Sequence, residues 1–231
     1  MLLWDIEATN LNADFGYCLA IAVMELGKTK PDVFTIRDYP SFKGDPTNDK
    51  GLVKEVSDIL INSGAWINWY GQRYDVPYVN SRLVNHGLGV MPPVPNIDLW
   101  RVCREKLKLH SNRLASAAAF LGIEEKTRLS GPIWIKAGAG DKGALKYVED
   151  HARQDVVVLA QAFEKMRPLI TTGPSLCLLS GGSPGRNCTI CSSTRLQKRG
   201  IRVASSNTYH RVECQDCGKW DQIPISKRKA R

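Results

Sequence analysis

The stretch WDIEATNL, residues 4–11, follows an apolar N-terminus and carries two acids in a D-x-E pattern. In a β-strand, residues two apart point to the same face, so Asp5 and Glu7 project together while Ile6 enters the opposite layer. Two carboxylates held side by side repel each other unless a cation or protons compensate. The pattern predicts a metal-binding strand end, and a simple polar strand end explains it equally well.

The segments around this stretch predict an α/β fold. Residues 1–6, 17–26 and 33–39 are apolar or alternating runs separated by turn-prone residues, which predicts three strands in meander order. A short apolar strand is predicted at 65–70. Helical spacing of apolar residues occurs in four segments: 51–63, 76–85, 99–109 and 113–121. A meander followed by crossovers indicates a mixed sheet flanked by helices.

A long helix is predicted at 142–166, with Asp141 as its cap and Pro168 as its end. His151 and Asp155 are four residues apart and therefore share one face of this helix. They either look toward the acids of the first strand or belong to a solvated helix face. Asp75 follows the predicted strand 65–70, where it either completes a set of oxygen ligands or caps the next helix.

The three segments together resemble the motifs of the DEDD superfamily of 3′–5′ exonucleases, which has a ribonuclease H-like fold. WDIEATNL is similar to the first motif, and HARQDV at 151–156 is similar to the third. WYGQRYDVPY at 69–78 resembles the second motif in the form found near family-B DNA polymerase proofreading domains. The resemblance covers about residues 1–170 and implies a ribonuclease H-like mixed sheet flanked by helices.

This chain departs from the family pattern at two places. The second motif commonly has Asn before its aromatic-Asp pair, and here Tyr70-Gly71 fills that stretch. The third motif has His151 where the polymerase-like branch usually has Tyr, yet it keeps that branch's four-residue step to Asp155. The other branch has His at this position and normally steps by five residues to the Asp, so this chain is intermediate between the two branches.

The resemblance implies a two-metal phosphodiester hydrolase. Asp5, Glu7 and Asp155 would be the principal ligands of two Mg²⁺ (or Mn²⁺) ions, and Asp75 would reach one ion through water. His151 would take or orient the proton of the attacking water. The implied function is an Mg²⁺-dependent 3′–5′ exonuclease, with DNA favoured over RNA. The alternatives are a ribonuclease or structure-specific endonuclease on the same fold, or a non-catalytic nucleic-acid-binding protein.

Four of the seven cysteines form two C-x2-C knuckles separated by 22 residues: Cys188, Cys191, Cys214 and Cys217. This spacing suits tetrahedral Zn²⁺ in a closed structural site, and the segment CGKW at 217–220 strengthens the resemblance to a zinc ribbon. Unrelated cysteines or a redox pair are the weaker alternatives. A hairpin is predicted between the knuckles, within 202–212. Cys18, Cys103 and Cys177 have no partner pattern and are predicted to be structural.

The net charge of +9 is concentrated in the ribbon and its tail, because residues 172–231 carry +8 and residues 1–171 carry +1. A basic module beside a near-neutral body indicates a polyanionic partner, and nucleic acid is favoured over a protein-docking role. The residues predicted to bind nucleic acid are Arg195, Lys198, Arg199, Arg202, Tyr209, Arg211 and Trp220. The tail 227–231 is predicted to be a nonspecific electrostatic arm, with a solubilising tail as the alternative.

Gly, Ser and Pro cluster near 171–187, which predicts an exonuclease domain at 1–170, a linker at 171–187 and a zinc ribbon with a basic tail at 188–231. No apolar run reaches the roughly 18–20 residues that span a bilayer. The N-terminus lacks the pattern of a signal peptide. We therefore expect a cytoplasmic or nucleoid-associated protein that is not secreted, with replication or repair proteins as further candidate partners.

Overall fold

The computed structural model describes residues 1–124 and 130–225. The basic tail predicted at 227–231 lies outside the described residues. The chain forms two compact units, Met1–Phe163 (unit 1) and Glu164–Arg231 (unit 2). The domain boundaries that we derived from the sequence stay predictions. No helix in the described ranges is long and apolar enough to cross a membrane.

Unit 1 contains a five-stranded mixed sheet in the order β3-β2-β1-β4-β5. Its strands are β1 (Leu2–Ala8), β2 (Cys18–Glu25), β3 (Asp32–Thr35), β4 (Trp66–Asn68) and β5 (Asn96–Asp98). The first three strands pair in antiparallel fashion, which confirms the predicted meander. β4 runs parallel to β1, and β5 runs parallel to β4. The strand with the D-x-E pattern is therefore the centre of the sheet.

Six helices of at least seven residues flank this sheet in the described part of the chain. They are α1 (Lys50–Ile61), α2 (Asp75–Asn85), α3 (Leu99–Lys106), α4 (Leu114–Phe120), α5 (Gly131–Gly138) and α6 (Lys142–Met166). The predicted cap of α6 is confirmed, because the Asp141 carboxylate accepts a 2.7 Å hydrogen bond from the Ala144 N–H. The helix α5 was not predicted from the sequence, because consecutive apolar residues between glycines hide its helical period.

The core of unit 1 lies between the sheet and α6. β2 is buried over seven of its eight residues, and Trp4 of β1 packs edge-on against Trp66 of β4 with 5.5 Å between ring centroids. The predicted apolar stripe of α6 is buried, with Val148 and Phe163 fully inaccessible to solvent. Each such side chain contributes about 1.5–3 kcal/mol on burial, so this apolar stripe stabilises the packing of α6.

A buried ion pair holds the loop that follows β1. Asp49 is fully buried, and both of its carboxylate oxygens accept hydrogen bonds from Arg82 of α2 at 2.9 Å. The same carboxylate accepts from the Cys18 N–H at 2.8 Å and lies 2.6 Å from the His86 ring. Arg82 also donates to the Ala13 carbonyl, which ties residues 9–17 to α2.

Unit 2 contains a three-stranded antiparallel sheet in the order β6-β7-β8. Its strands are β6 (Leu196–Val203), β7 (Thr208–Cys214) and β8 (Trp220–Pro224). The hairpin of β6 and β7 confirms the predicted hairpin, with longer arms than 202–212. Among the residues of these three strands, only Val212 and Cys214 are buried. The sheet therefore has little apolar core of its own.

Candidate active site and metal centre

The second-motif acid meets the first-motif strand directly. Asp75 is the first residue of α2, and its carboxylate accepts a 3.2 Å hydrogen bond from the Ile6 N–H of β1. Only 2% of Asp75 and 8% of Glu7 are exposed. Tyr74 is the N-cap of α2, so the alternative interpretation of Asp75 as the helix cap is wrong.

The long helix brings the third motif to the same place. His151 Nε2 lies 3.7 Å from Glu7 Oε1 and 3.7 Å from Asp155 Oδ2. One donor atom from each of these three residues lies within 4.8 Å of the others, which is compact enough for one ion. His151 Nδ1 is buried and finds no hydrogen-bond partner among the described residues.

Burial and mutual repulsion disfavour the charged form of the strand acids. Burial raises the pKa of Asp5 well above its usual range, and the charges of Asp75, Glu7 and Asp155 raise it further. Burial, followed by the charges of Asp155 and Asp75, likewise raises the pKa of Glu7. Asp5 therefore belongs to the same electrostatic cluster, although it is not one of the three residues with the closest donor atoms.

The pKa of Asp75 rises to about 7. Burial is the main cause; the hydrogen bond from the Ile6 N–H works against it, and the charge of Asp98 adds to it. A divalent cation among these carboxylates would remove the repulsion, and carboxylate oxygens are the donors that Mg²⁺ and Mn²⁺ prefer. The donor set thus fits such an ion chemically, and the role of each residue remains a prediction.

The turn before α2 depends on a glycine at position 71. A Cβ added to Gly71 would lie 1.8 Å from Asn68 Nδ2, and Asn68 is fully buried at the end of β4. Both polar atoms of the Asn68 side chain are without a hydrogen-bond partner in the described ranges. Asn68 was not among the residues predicted from the sequence, although an amide at the end of a buried strand just before the Gly71 turn was a recognisable signal.

The four knuckle cysteines of unit 2 converge. Cys188 Sγ and Cys217 Sγ are 3.5 Å apart, as are Cys191 Sγ and Cys214 Sγ, and all four sulfurs lie within 4.8 Å of one another. Tetrahedral Zn²⁺ with bonds of about 2.3 Å places its sulfurs about 3.8 Å apart, so the cluster is consistent with a structural zinc site. Cys18, Cys103 and Cys177 are buried free thiols outside this cluster, in agreement with a structural role.

The residue after each knuckle has the left-handed backbone that lets a knuckle turn. Gly218 has φ 71° and Ser192 has φ 62°. Burial acts to raise the pKa of Cys214, but N–H donors of Cys217 and Asp216 and the neighbouring thiols outweigh it, and the pKa falls to about 7. The chain itself therefore stabilises the thiolate, the form that binds zinc, at Cys214, whereas burial raises the pKa of Cys191 to about 11 and raises that of Cys217 as well.

The sheet of unit 2 brings some of the predicted nucleic-acid-binding residues together. Tyr209 and Arg211 are two residues apart on β7 and therefore point to the same face of the sheet. Arg202 lies opposite Tyr209 on the neighbouring strand and shares that face. Trp220 lies opposite Glu213 and therefore shares that face. Two cations are already paired with acids, Arg199 with Glu213 at 2.8 Å and Arg195 with Asp216. Lys198 lies opposite the buried Val212 and so has the register of the other face.

Comparison with known proteins agrees with this fold. The sequence profile of the RNase_H superfamily matches residues 2–167. No curated protein sequence matches the chain. The structure is similar to the family B DNA polymerase from the hyperthermophilic archaeon Pyrobaculum calidifontis, with a TM-score of 0.57 and 14% sequence identity. The match covers 90% of this chain and 31% of the polymerase chain. The predicted ribonuclease H-like sheet with flanking helices is confirmed, as is the small β-sheet with its cysteine cluster.

Proposed function

The chain belongs to the RNase_H superfamily, and from that premise we propose that it is an Mg²⁺-dependent 3′–5′ exonuclease. Its substrate in this proposal is nucleic acid, with DNA favoured over RNA because the second motif resembles the form found near DNA polymerase proofreading domains. The catalytic set is the five residues predicted from the sequence: Asp5, Glu7, Asp75, His151 and Asp155.

One observation carries the proposal, namely the meeting of acids from three distant segments. The Asp75 carboxylate binds the Ile6 N–H of the D-x-E strand, and His151 Nε2 lies equally close to Glu7 and Asp155. Burial and the charges of neighbouring acids raise the pKa of both Asp5 and Glu7, so this crowding of carboxylates is unfavourable for folding. Bound cations would compensate this repulsion, and the proposed two-metal hydrolysis of a phosphodiester uses such cations.

Each residue has a distinct task in this proposal. Asp5, Glu7 and Asp155 hold two divalent ions, and Asp75, which is anchored to β1, reaches one of them through water. When bound, two such ions neutralise the phosphate and stabilise the attacking and leaving oxygens of an in-line displacement. His151 takes or orients the proton of the attacking water, since an imidazole is the side chain best suited to move a proton near neutral pH.

Unit 2 is proposed to bind one structural Zn²⁺ and to grip the nucleic acid. The shared face of Tyr209, Arg211, Arg202 and Trp220 supports this, because an aromatic ring can stack on an unpaired base while guanidinium groups contact phosphates. Phosphate contacts should make binding weaken as the salt concentration rises. The pairing of Arg195 and Arg199 with acids reduces what these two residues would add.

Three other functions are separated by experiment. A ribonuclease or a structure-specific endonuclease would use the same acids on the same fold. A nucleic-acid-binding protein without catalysis would keep the fold and lose the need for the acids. The presence of acids in all three motifs favours an enzyme over this last function.

The test uses the full chain with end-labelled single-stranded DNA and RNA, each offered in linear and in circular form with Mg²⁺. We expect stepwise shortening of linear DNA from its 3′ end and intact circles. Asp5→Ala should reduce the rate about 10³-fold, since metal ions contribute several kcal/mol to the transition state. Asp14→Ala, at an exposed acid outside the cluster, is the matched control and should keep the rate.

Each result against the proposal has a distinct meaning. Cleavage of circles would indicate an endonuclease, and preferential digestion of RNA a ribonuclease. Hydrolysis that survives Asp5→Ala undiminished would refute the metal mechanism. Binding without any hydrolysis would indicate the non-catalytic function.

A further inference from the structure

A partly exposed aromatic pair adjoins the turn that leads to Asp75 and has no part in the proposed metal binding. Tyr70, in the turn between β4 and α2, packs edge-on against Trp100 of α3, with 4.7 Å between ring centroids and 68° between planes. Tyr70 is 37% exposed, and Trp100 is half-buried. Large aromatic side chains in such positions offer a ring face or edge to a partner.

One buried carboxylate fixes the backbone of both aromatic residues. Asp98 Oδ1 accepts a 2.8 Å hydrogen bond from the Tyr70 N–H and a 3.1 Å hydrogen bond from the Trp100 N–H. Tyr70 also has φ 67°, a left-handed conformation that costs a bulky residue about 1–2 kcal/mol. Strain of this kind persists where the surroundings over-determine it, and it is concentrated at ligand-binding sites.

Cations surround the aromatic pair. The guanidinium carbon of Arg104 lies 5.2 Å from the Trp100 ring centroid, and that of Arg73 lies 5.9 Å from it. Both arginines are exposed. Residues 99–113 contain five Lys and Arg and one acid, a net charge of +4, although residues 1–171 together carry only +1. The positive charge of unit 1 is therefore concentrated on α3 and the loop that follows it.

The aromatic pair is connected to the acidic site through one short turn. The Tyr74 N–H donates to the Tyr70 carbonyl, and the Val76 N–H donates to the Gly71 carbonyl. The helix that this turn begins has Asp75 as its first residue. Asp98, which holds the aromatic pair, is also close enough to Asp75 for its charge to act there.

We propose that Tyr70 and Trp100, with Arg73 and Arg104, form a stacking site for the unpaired bases of a single-stranded nucleic-acid end. The bases stack on the aromatic rings, and Arg73 and Arg104 contact the phosphates. The charge of the surface excludes a cationic partner, and duplex DNA hides the base faces that the rings would contact. This inference rests on the proposed nuclease function and names the form of its substrate.

Binding without hydrolysis tests the stacking site. The full chain is titrated, in buffer without added Mg²⁺, into fluorescein-labelled oligothymidylate of about 12 nucleotides while anisotropy is recorded. The same is done with a blunt duplex. We expect Trp100→Ala to weaken single-strand binding about tenfold, and Trp100→Phe, which keeps a ring, to restore most of it. Duplex binding should stay within twofold in both variants.

Arg101→Ala is the matched control for charge, because Arg101 is an exposed cation of the same helix whose partner is Glu105, at 2.7 Å. It should weaken binding to both probes by a similar, small factor. Arg104→Gln should weaken single-strand binding more than Arg101→Ala does, and this comparison does not depend on removing a half-buried tryptophan. Any contribution of unit 2 is common to all of these variants and cancels.

Single-strand binding that is unchanged by Trp100→Ala in a folded chain would overturn the proposal, as would an equal loss for the duplex. The two proposals fail separately. If hydrolysis depends on Asp5 but binding ignores Trp100, the stacking site alone is refuted. If the wild-type chain hydrolyses nothing yet binds single strands through Trp100, the stacking site stands and the nuclease function is refuted.

Discussion

The acidic cluster and the cysteine cluster each contain four side chains that can be anionic, but the two clusters are assembled differently. The acids come from positions 5, 7, 75 and 155, and a packed sheet and a long helix bring them together. The cysteines come from two short knuckles joined by a hairpin, Cys188 with Cys191 and Cys214 with Cys217. The acids are brought together by a fold that does not depend on them. The fold around the cysteines, in contrast, depends on the metal that the cysteines would bind.

The difference in core explains this contrast. Around the acids lie fully buried residues of β1, β2 and α6, so unit 1 has apolar packing that does not depend on an ion. The strands of unit 2 bury Val212 and Cys214 alone, which is too little for a stable sheet. We therefore expect metal removal to unfold the cysteine module and to leave the acidic site folded.

The largest expected effect is the loss of zinc from the cysteine cluster. Cys214→Ser should abolish zinc binding and unfold residues 188–224, because structural zinc contributes about 10–16 kcal/mol of apparent folding free energy in zinc-finger peptides. Zinc content per chain and peptide-resolved hydrogen exchange are the measurements. Cys103→Ser, at a cysteine outside the cluster, is the matched control and should keep the zinc. If the amides of residues 188–224 stay protected from exchange without zinc, the cysteine module does not depend on the metal for its folding, and the contrast with unit 1 is wrong.

The next effect is an opposite response of the two sites to pH. In the absence of divalent ions the folded acids hold protons that the unfolded chain releases near pH 4, since the pKa of Asp75 is raised to about 7. Stability of unit 1 should therefore fall as the pH rises from 5 to 7, by about 2–3 kcal/mol for Asp75 alone. The cysteine module should respond in the reverse direction, because protons compete with zinc for thiolates.

Urea unfolding at pH 5 and pH 8, followed by peptide-resolved hydrogen exchange, would measure both responses. Addition of Mg²⁺ should stabilise unit 1 at pH 8 much more than at pH 5, where the acids are largely protonated. A metal-free unit 1 that is more stable at pH 8 than at pH 5 would be evidence against the clustered carboxylates described above.

The smallest effect concerns a single buried charge. Asp75→Asn keeps an oxygen that can accept from the Ile6 N–H and removes the charge that burial disfavours. At pH 5.5 without divalent ions, where Asp75 is only partly ionised in the folded chain, it should raise the free energy of unfolding of unit 1 by about 2 kcal/mol. Hydrolysis should fall at the same time. Asp14→Asn, at an exposed acid, should change stability by less than about 0.5 kcal/mol. A destabilised Asp75→Asn chain would show that the charge is already compensated.

Strong local patterns made much of the fold predictable. The alternating strands of the meander, the apolar stripe of α6 and the Asp141 cap each depend on residues close in sequence, and the structure contains all three. The capping role of Asp98 likewise follows from its place before α3. The helix α5 was not predictable, because glycines at both ends and a run of apolar residues give no helical period.

The residues of the candidate site were predictable from the sequence, but their contacts with one another were not. The sequence named the five residues from their order and their resemblance to known motifs, but it could not say that Asp75 would bind the Ile6 N–H. It also gave no reason to connect Tyr70 with Trp100, because α2 and β5 separate these residues in the chain, and their ring contact and shared hydrogen bonds to Asp98 exist only in the folded structure. Contacts between distant segments are set by packing, which local sequence does not encode.

The sequence by itself determined most of the strands and helices and the chemistry that they carry: D-x-E on a strand, an acid one helical turn from His151, and two C-x2-C knuckles. These features follow from the period of strand and helix and from ligand chemistry over short spans. The tertiary structure alone decided that the acids crowd closely enough to raise one another's pKa and that cations gather around Trp100. Both depend on distances across the sheet, and those distances exist only once the chain has packed.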